Sequence, residues 1–281
     1  MRVHAISTGR VRVKASQLVG RGRGLARRLA PIFDEEWSGW LPTYVFAVEH
    51  RDGVVLIDAG ANAGLKRLPR WHPYFQLAVK FDIEPEQEAG PQLRALGIAP
   101  SDVKLIVLTH LHIDHDGGLA AFPRARVMVS AGERAAAAGL VGRLNGYLPQ
   151  RWPTHFDPEP FVFADEPFGP FARSRRLTAD GALAALPTPG HTANHVSIVL
   201  DDGARRIVFV GDAAYSQSNL LAGRVDGISP TAAIARDTMA RLAALAAERP
   251  TVLLPTHDPD AADRLARGET APVGVMAAHA A

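Results

Sequence analysis

The hydrophobic positions of this chain fall into short runs that are separated by polar turns. Valine, isoleucine and leucine dominate these runs, and Gly, Asp or Pro bound them, which is typical of β-strands. Residues 44–49 and 54–57 flank the turn His50-Arg51-Asp52-Gly53, so this pair predicts a β-hairpin. Further strands are predicted at residues 103–108, 126–129, 183–186, 196–200, 207–210 and 252–254.

Between several of these strands lie segments whose hydrophobic positions have helical spacing. This spacing predicts helices over residues 86–96, ended by Gly97, and over residues 131–138 and 231–248. Residues 147–171 (YLPQRWPTHFDPEPFVFADEPFGPF) are rich in proline and aromatic side chains and predict an irregular excursion. The alternation of strands and helices predicts an α/β architecture. A length of 281 residues favours a single domain, 1–281, over a string of modules.

The composition is that of a folded protein, with 47% hydrophobic and 21% charged residues. The net charge of +2 does not favour nucleic acid by itself, and we expect no nucleic-acid partner. Basic residues are nevertheless concentrated near the start, so residues 10–30 predict a basic N-terminal arm. This arm is either solvated or attracts an anionic surface or substrate. Its basic residues are Arg10, Arg12, Lys14, Arg21, Arg23, Arg27 and Arg28.

The chain contains no cysteine. This excludes disulfide bonds, thiolate metal ligands and a cysteine nucleophile, so any metal must be held by nitrogen and oxygen. The N-terminal sequence MRVHAISTGRVRVK does not have the pattern of a secretory signal. No apolar run has the length of a membrane-spanning helix. We therefore expect a cytoplasmic protein with no membrane partner.

One arrangement recurs along the chain: a short apolar strand is followed by a polar loop that holds His or Asp. After residues 103–108 comes THLHIDHDGG, with His110, His112, Asp114 and His115. Because ligand sites in α/β folds gather at the ends of strands, we expect the polar side chains of all these loops to form one site. The later loops contribute His191 and His195 in PTPGHTANH, Asp212 and Tyr215 in GDAAY, and His257 and Asp258 in PTHD.

These loops carry the chemistry of a metal site. Neutral imidazole and carboxylate groups are good ligands for zinc and similar divalent ions, with iron, cobalt and manganese as alternatives. His110 and His112 can share one ion, Asp114 and His115 can serve a second, and a carboxylate such as Asp212 suits the space between two cations. A hydroxide held between two such ions is nucleophilic at neutral pH. The candidate metal ligands are His110, His112, Asp114, His115, His191, Asp212 and His257.

The remaining histidines carry no comparable signal. A lone histidine in a loop is usually a cap or a solvated side chain. We interpret His195 as structural, either a residue behind the ligands or an aromatic filler behind His191. The other histidines outside the ligand set are His4, His50, His72, His155 and His279.

The motif HxHxDH, from His110 to His115, resembles the signature of the metallo-β-lactamase superfamily. His191 in TPGHT, Asp212 in VGD and His257 in PTHD match the later ligands of that family, in order and after strands. The resemblance covers about residues 44–265. It implies an αββα sandwich, in which two packed β-sheets have outer helices and the metals lie at one edge.

Within this superfamily the chain is similar to the quorum-quenching N-acyl-homoserine lactonases. Those enzymes carry a tyrosine three residues after the bridging aspartate, and here Tyr215 stands at that spacing from Asp212. The loop HTANHVS departs from the lactonase pattern at Asn194, where lactonases often have glycine. The resemblance also implies a homodimer.

The lactonase resemblance implies a dinuclear metal-dependent hydrolase that opens the lactone ring by attack of a metal-bridging hydroxide. Tyr215 would donate a hydrogen bond to the developing oxyanion, and Asp114 would carry a proton to the leaving alkoxide. These two are the expected catalytic residues, and a small-molecule lactone or ester is the expected partner. The implied ligand sets are His110, His112 and His191 for one ion, Asp114, His115 and His257 for the other, and Asp212 between them.

Other functions are compatible with the same residues. A phosphotriesterase or a thioesterase of the same fold is the main alternative, since the two-metal site suits both reactions. Thioesterases of the glyoxalase II type usually have a basic C-terminal helical region, whereas the chain after Leu265 is short and rich in alanine. A metal-dependent binding protein without turnover is a further alternative, which hydrolysis of any ester would exclude. Nucleic-acid binding through the basic arm is another, which a strong salt dependence of DNA or RNA binding would support.

Aromatic residues flank the ligand loops and bear on substrate size. They either line an apolar channel for an acyl chain or fill the core or a dimer contact. These residues are Trp71, Tyr74, Phe75, Tyr147, Trp152, Phe156 and Phe161.

Overall fold

The computed structural model describes residues 1–272, which divide into two compact units. The first unit comprises Met1–Ala15 and Pro31–Phe161. The second comprises Ser16–Ala30 and the chain from Val162 onward. Each unit is built on one β-sheet. The expectation of a single domain stays a prediction.

The sheet of the first unit has seven strands. They are β1 (Arg2–Val13), β2 (Leu41–His50), β3 (Gly53–Ile57), β4 (Val79–Asp82), β5 (Val103–Val107), β6 (Arg126–Ser130) and β7 (Glu159–Phe161). The order across the sheet is β4-β1-β2-β3-β5-β6-β7. Strands β2 and β3 form the predicted antiparallel hairpin, and β3, β5, β6 and β7 run parallel. The carboxyl ends of β3 and β5 therefore meet at one edge, where the THLHIDHDGG loop begins.

Short helices accompany this sheet. Strands β3 and β5 are buried along most of their length, with Leu56 and Ile106 at 0% exposure. This is expected for parallel strands covered on both faces. The helices that lie wholly in the first unit are α3 (Pro73–Leu77), α4 (Ala89–Ala95), α5 (Ile113–Asp116), α6 (Ala131–Ala136) and α7 (Gly139–Leu144), whereas α1 (Ala15–Leu18) and α2 (Gly24–Phe33) cross the boundaries of the 16–30 segment.

The sheet of the second unit has five strands. They are β8 (Arg175–Arg176), β9 (Leu183–Pro187), β10 (Val196–Asp201), β11 (Arg206–Gly211) and β12 (Thr251–Pro255), in the order β12-β11-β10-β9-β8. Only β11 and β12 pair in parallel, so their carboxyl ends meet at one edge. The helices are α8 (Gln217–Leu221), α9 (Ala232–Glu248) and α10 (Ala261–Arg267). Helix α9 packs Met239 and Leu242 into the core of this unit.

The structure corrects the expectation of a basic arm over residues 10–30. Residues up to Val13 belong to β1, in which Val11 and Val13 are 2% exposed. Arg10 and Arg12 alternate with these valines and lie over the rings of tryptophans. The charge pattern therefore reflects the two-residue period of a strand. The following segment is folded into the second unit, where Arg27 is buried.

Two other predictions hold only in part. The predicted helix over residues 86–96 is interrupted at Glu88, whose backbone is extended (φ −60°, ψ 152°), so that a 3-10 turn Pro85–Gln87 precedes α4. Gly97, at φ 81°, does end this helix in the left-handed conformation. The excursion over residues 147–171 is largely irregular but contains β7. This strand was not predicted because proline is unfavourable within strands.

Candidate metal centre

The first group of predicted ligands lies where β5 ends. His110 and His112 follow the strand, and Asp114 and His115 lie on α5 immediately afterwards. His110 Nε2 is 3.0 Å from His112 Nδ1, and the ring centroids of His110 and His115 are 4.0 Å apart. Asp114 Oδ1 is 3.9 Å from His115 Nε2. The structure thus brings the predicted ligands of this loop together, with His110 and His115 fully buried.

Hydrogen-bond partners determine which nitrogen of each ring carries the proton. The Thr109 hydroxyl donates to Asp58 Oδ2 (2.9 Å), so Thr109 Oγ1 accepts from His110 Nδ1 (3.1 Å). His112 Nε2 lies 3.3 Å from the Asn145 carbonyl oxygen, which can only accept. His110 Nε2 and His112 Nδ1 therefore face each other with lone pairs at 3.0 Å. Two imidazole nitrogens that face each other at this distance are suited to sharing a cation.

Asp58 is a residue of this centre that the sequence analysis missed. It is 1% exposed, accepts the backbone N–H of Thr109 (2.7 Å) and lies 2.8 Å from His115 Nδ1. A carboxylate in this place makes His115 donate from Nδ1 and present Nε2 as a ligand atom. Asp58 also has φ 62°, a strained conformation for a residue other than glycine. Its signal was its place directly after the apolar strand β3, as in the other loops.

Asp116 ends helix α5 in a buried environment. Burial raises the pKa of Asp116 to about 8, although a hydrogen bond from Trp152 Nε1 to Asp116 Oδ2 (2.6 Å) opposes this shift. Trp152 packs in turn on Phe156, with ring centroids 4.7 Å apart. The hydrogen bond between Trp152 and Asp116 therefore connects the end of the ligand loop to the irregular excursion, residues 147–171.

Three of the seven aromatic residues considered for an acyl channel contribute to the core of the first unit. Phe75, Tyr147 and Phe161 are at most 5% exposed. The Tyr147 hydroxyl donates to buried Glu133 (2.8 Å), which also accepts the backbone N–H of residue 111. Trp71 is 52% exposed. The core alternative therefore holds for the three buried rings.

The second unit carries the remaining predicted ligands. Asp212 follows β11 and His257 follows the parallel strand β12, while His191 lies between β9 and β10. Asp212 Oδ2 is 3.2 Å from His257 Nε2 and 3.6 Å from His191 Nε2. All three side chains are at most 5% exposed. Two imidazoles thus converge on one carboxylate oxygen, as in a site for a cation.

Asp226 is a second residue that the sequence analysis missed. It lies in a loop without a preceding strand, so no pattern marked it. Its Oδ2 is 3.7 Å from His191 Nδ1, and both the backbone and the hydroxyl of Ser229 donate to its carboxylate (2.6 Å each). Burial alone would raise the pKa of Asp226, but His191 and Ser229 outweigh it and hold the pKa below its usual value. The Asp226 carboxylate near Nδ1 favours a proton on that nitrogen of His191, which leaves Nε2 as the candidate ligand atom.

Tyr215 lies against the histidines of the second unit. Its ring stacks on that of His257, with centroids 5.4 Å apart and planes at 23°. The His191 ring meets it edge-on at 6.2 Å. Tyr215 is only 5% exposed. The predicted catalytic tyrosine is therefore fixed beside two predicted metal ligands.

His195 is structural, and its role is to hold Asp212. The Asp212 backbone N–H donates to His195 Nε2 (3.0 Å), so His195 Nδ1 carries the proton and donates to Thr188 Oγ1 (2.9 Å). Thr188 then donates to Ser197 Oγ (3.0 Å), which donates to the Val210 carbonyl oxygen (2.9 Å). Every direction in this network is determined, and the imidazole within it is neutral.

The other histidines were expected to be caps or solvated. Within the described residues, the groupings of possible ligand atoms include none of His4, His50, His72 and His155. His50 and His72 are nevertheless buried, at 8% and 4% exposure, which corrects the expectation of solvated side chains. His72 packs on Phe75 at 4.6 Å between ring centroids. His279 lies outside the described residues.

Comparison with known proteins gives the family context of this centre. A model of the metallo-beta-lactamase superfamily matches residues 38–257. "Probable metallo-hydrolase Rv2300c" of Mycobacterium tuberculosis is 34% identical over 184 residues, which are 63% of this chain and 58% of that protein. The matched region thus spans less than two thirds of this relative.

Two further similarities extend over more of the chain. The N-acyl homoserine lactonase AttM of Rhizobium radiobacter is 27% identical over 229 residues, covering 79% of this chain and 83% of AttM. The crystal structure of a B. thuringiensis AiiA mutant with N-decanoyl-L-homoserine at its active site has a TM-score of 0.72 at 18% identity, covering 92% and 93% of the two chains. The predicted fold class, α/β with two sheets flanked by helices, is confirmed by these matches.

Among residues 1–272, no helix combines the length and the apolar character needed to cross a membrane.

Proposed function

Because this chain belongs to the metallo-β-lactamase superfamily, we propose that it is a metal-dependent hydrolase that opens the lactone ring of N-acyl-homoserine lactones. Superfamily membership alone does not fix a substrate. The observation that carries the lactone assignment is the position of Tyr215, whose ring stacks on His257. Relatives named as N-acyl homoserine lactonases support the same substrate class.

We propose that the centre takes two divalent ions, with zinc preferred over iron, cobalt or manganese. The donor set fits such ions, since it consists of imidazole nitrogens and carboxylate oxygens whose orientation neighbouring carboxylates and carbonyls determine. When bound, these ions acidify water and polarise a carbonyl group. One ion would be held by His110, His112 and His191, the other by Asp114, His115 and His257, with Asp212 shared between them.

The chain's own residues supply hydrogen bonding and proton transfer. Lactone opening joins a water oxygen to the carbonyl carbon, breaks the ring C–O bond and delivers a proton to the departing ring oxygen. The Tyr215 phenol donates a hydrogen bond to the carbonyl oxygen as negative charge develops there. Asp114, whose side chain on α5 is 14% exposed, delivers the proton to the departing oxygen.

The proposal is tested by acid release. Zinc-loaded protein is mixed with an N-acyl-homoserine lactone and a pH indicator, and the product is identified by its mass. We expect rapid release of one proton per lactone, a product heavier by one water, and loss of both after chelation. Absence of release from protein with two bound ions would overturn the lactone assignment and direct the search to phosphotriesters and thioesters.

Two expectations concern the whole protein and stay predictions. They are a homodimer and a cytoplasmic location. Light scattering on the purified chain tests the first, and fractionation of the producing cells tests the second.

A further inference from the structure

The segment of residues 16–30 is bound into the second unit close to Tyr215. The Gly227 backbone N–H donates to the Gln17 carbonyl oxygen (2.9 Å), and the Gly20 N–H donates to that of Val225 (2.8 Å). Asn219 Nδ2 donates to the carbonyl oxygen of residue 18 (3.3 Å). Hydrogen bonds to the main chain of residues 17, 18 and 20 therefore hold this segment independently of the Gln17 side chain.

The Gln17 side chain makes a separate contact. It is 2% exposed, and its Nε2 donates to the hydroxyl oxygen of Tyr215 at 2.7 Å. Burying an amide is costly unless it is hydrogen-bonded, so a leucine would suit this position better if only packing mattered. The contact points to a role that depends on the tyrosine.

The direction of this hydrogen bond has a consequence for the phenol. A phenolic proton lies near the plane of its ring, on one of two sides of the oxygen. The Gln17 amide donates to the Tyr215 hydroxyl oxygen on one of these sides, so the Tyr215 proton lies on the opposite side. A hydroxyl that accepts one hydrogen bond is also a stronger donor in the next. The ring itself cannot turn away, because it stacks on His257.

We propose that Gln17 is a positioning residue, which orients the Tyr215 hydroxyl so that its proton is donated to the developing oxyanion of the substrate. This inference rests on the proposed lactone hydrolysis. Gln17 thus has a role in the reaction, although the sequence pattern of residues 10–30 indicated only a basic arm.

The test is a double-mutant cycle on the zinc-loaded protein. Tyr215→Phe should lower kcat about 100-fold, and Gln17→Leu should lower it about tenfold with KM changed less than twofold. In the Tyr215→Phe background, Gln17→Leu should have no further effect, because the hydroxyl that it orients is absent. Gln17→Glu should resemble Tyr215→Phe, since a carboxylate accepts the phenolic proton and withdraws it from the substrate.

A matched control and a second readout separate this role from a structural one. Gln92→Leu removes a side-chain amide that donates to the Ser7 carbonyl oxygen in the first unit, and it should leave kcat unchanged. The chain has 4 tyrosines, so with ¹³Cζ-labelled tyrosine the Tyr215 resonance can be assigned by its loss in Tyr215→Phe. Gln17→Leu should shift that resonance, whereas Gln92→Leu should not.

The outcomes are distinct. If the wild-type protein hydrolyses no lactone, the proposed function fails and this inference fails with it. If the wild type is active but Gln17→Leu leaves kcat and the Tyr215 resonance unchanged, only this inference is overturned. Equal losses from Gln17→Leu with and without the Tyr215 hydroxyl would also overturn it, because the side chain would then act on folding alone.

Discussion

At the scale of single residues, the histidines of the 110–115 loop each have one ring nitrogen committed to a neighbour. Thr109 binds His110, the Asn145 carbonyl binds His112, and Asp58 binds His115. The opposite nitrogens are thereby oriented as candidate ligand atoms.

Asp58→Asn tests this arrangement. The amide keeps the size of the side chain and tolerates the positive φ, so the fold should survive. His115 loses the carboxylate that determines its tautomer, and zinc affinity should fall about 10- to 100-fold. Competition with a chromophoric chelator measures this loss, and Asp52→Asn, at an exposed position in the β2–β3 turn, serves as control. Unchanged affinity would show that Asp58 does not orient the ligand.

His195 gives a prediction on stability rather than on chemistry. His195→Leu leaves the buried Asp212 N–H without its acceptor, so the free energy of unfolding should fall by about 1–3 kcal/mol. Urea unfolding of the metal-free protein measures the change. His155→Leu, at an exposed site, should change it by less than about 0.5 kcal/mol. Equal effects of the two substitutions would show that the hydrogen bond from Asp212 to His195 does not stabilise the fold.

The candidate ligands could be selected from the sequence because they share a local context, an apolar strand followed at once by His or Asp. Asp58 has that context too and could have been found. Asp226 and Gln17 could not, because each is defined by a partner distant in sequence, His191 and Tyr215 respectively.

At the scale of elements, the parallel pairs decide where the candidate ligands lie. Parallel strands end at the same edge, so β3 and β5 bring Asp58 to His115, and β11 and β12 bring Asp212 to His257. The strands themselves were predictable from hydrophobicity, but their order in the sheets was not. Helix α4 was shortened by the extended backbone at Glu88, which helical spacing alone does not reveal.

The loop after α5 also requires close approach of two elements. A Cβ on Gly118 would lie 2.1 Å from the carbonyl oxygen of Ala59, which follows β3. Gly118→Ala should therefore lower the free energy of unfolding by about 2 kcal/mol or more. Chemical denaturation tests this, with Gly39→Ala as control, since a Cβ there meets nothing within 4 Å. A Gly118→Ala protein as stable as the control would contradict the described packing.

At the scale of the whole molecule, the candidate ligands are divided between the two units. His110, His112, Asp114 and His115 belong to the first, and His191, Asp212 and His257 to the second. The sequence marked each of these loops individually, but it did not predict their division between two units. It did not predict that residues 16–30 belong to the second unit, because that depends on bonds to residues about 200 positions away in the chain.

The dinuclear lactonase assignment is tested by titrating the metal-free protein with zinc and following lactone hydrolysis. We expect the rate of acid release from an N-acyl-homoserine lactone to rise with added zinc and to reach its plateau at two ions per chain. His112→Ala should abolish this rise. A rate of hydrolysis that reaches its plateau at one ion per chain would contradict a dinuclear lactonase. So would the absence of hydrolysis at every zinc concentration.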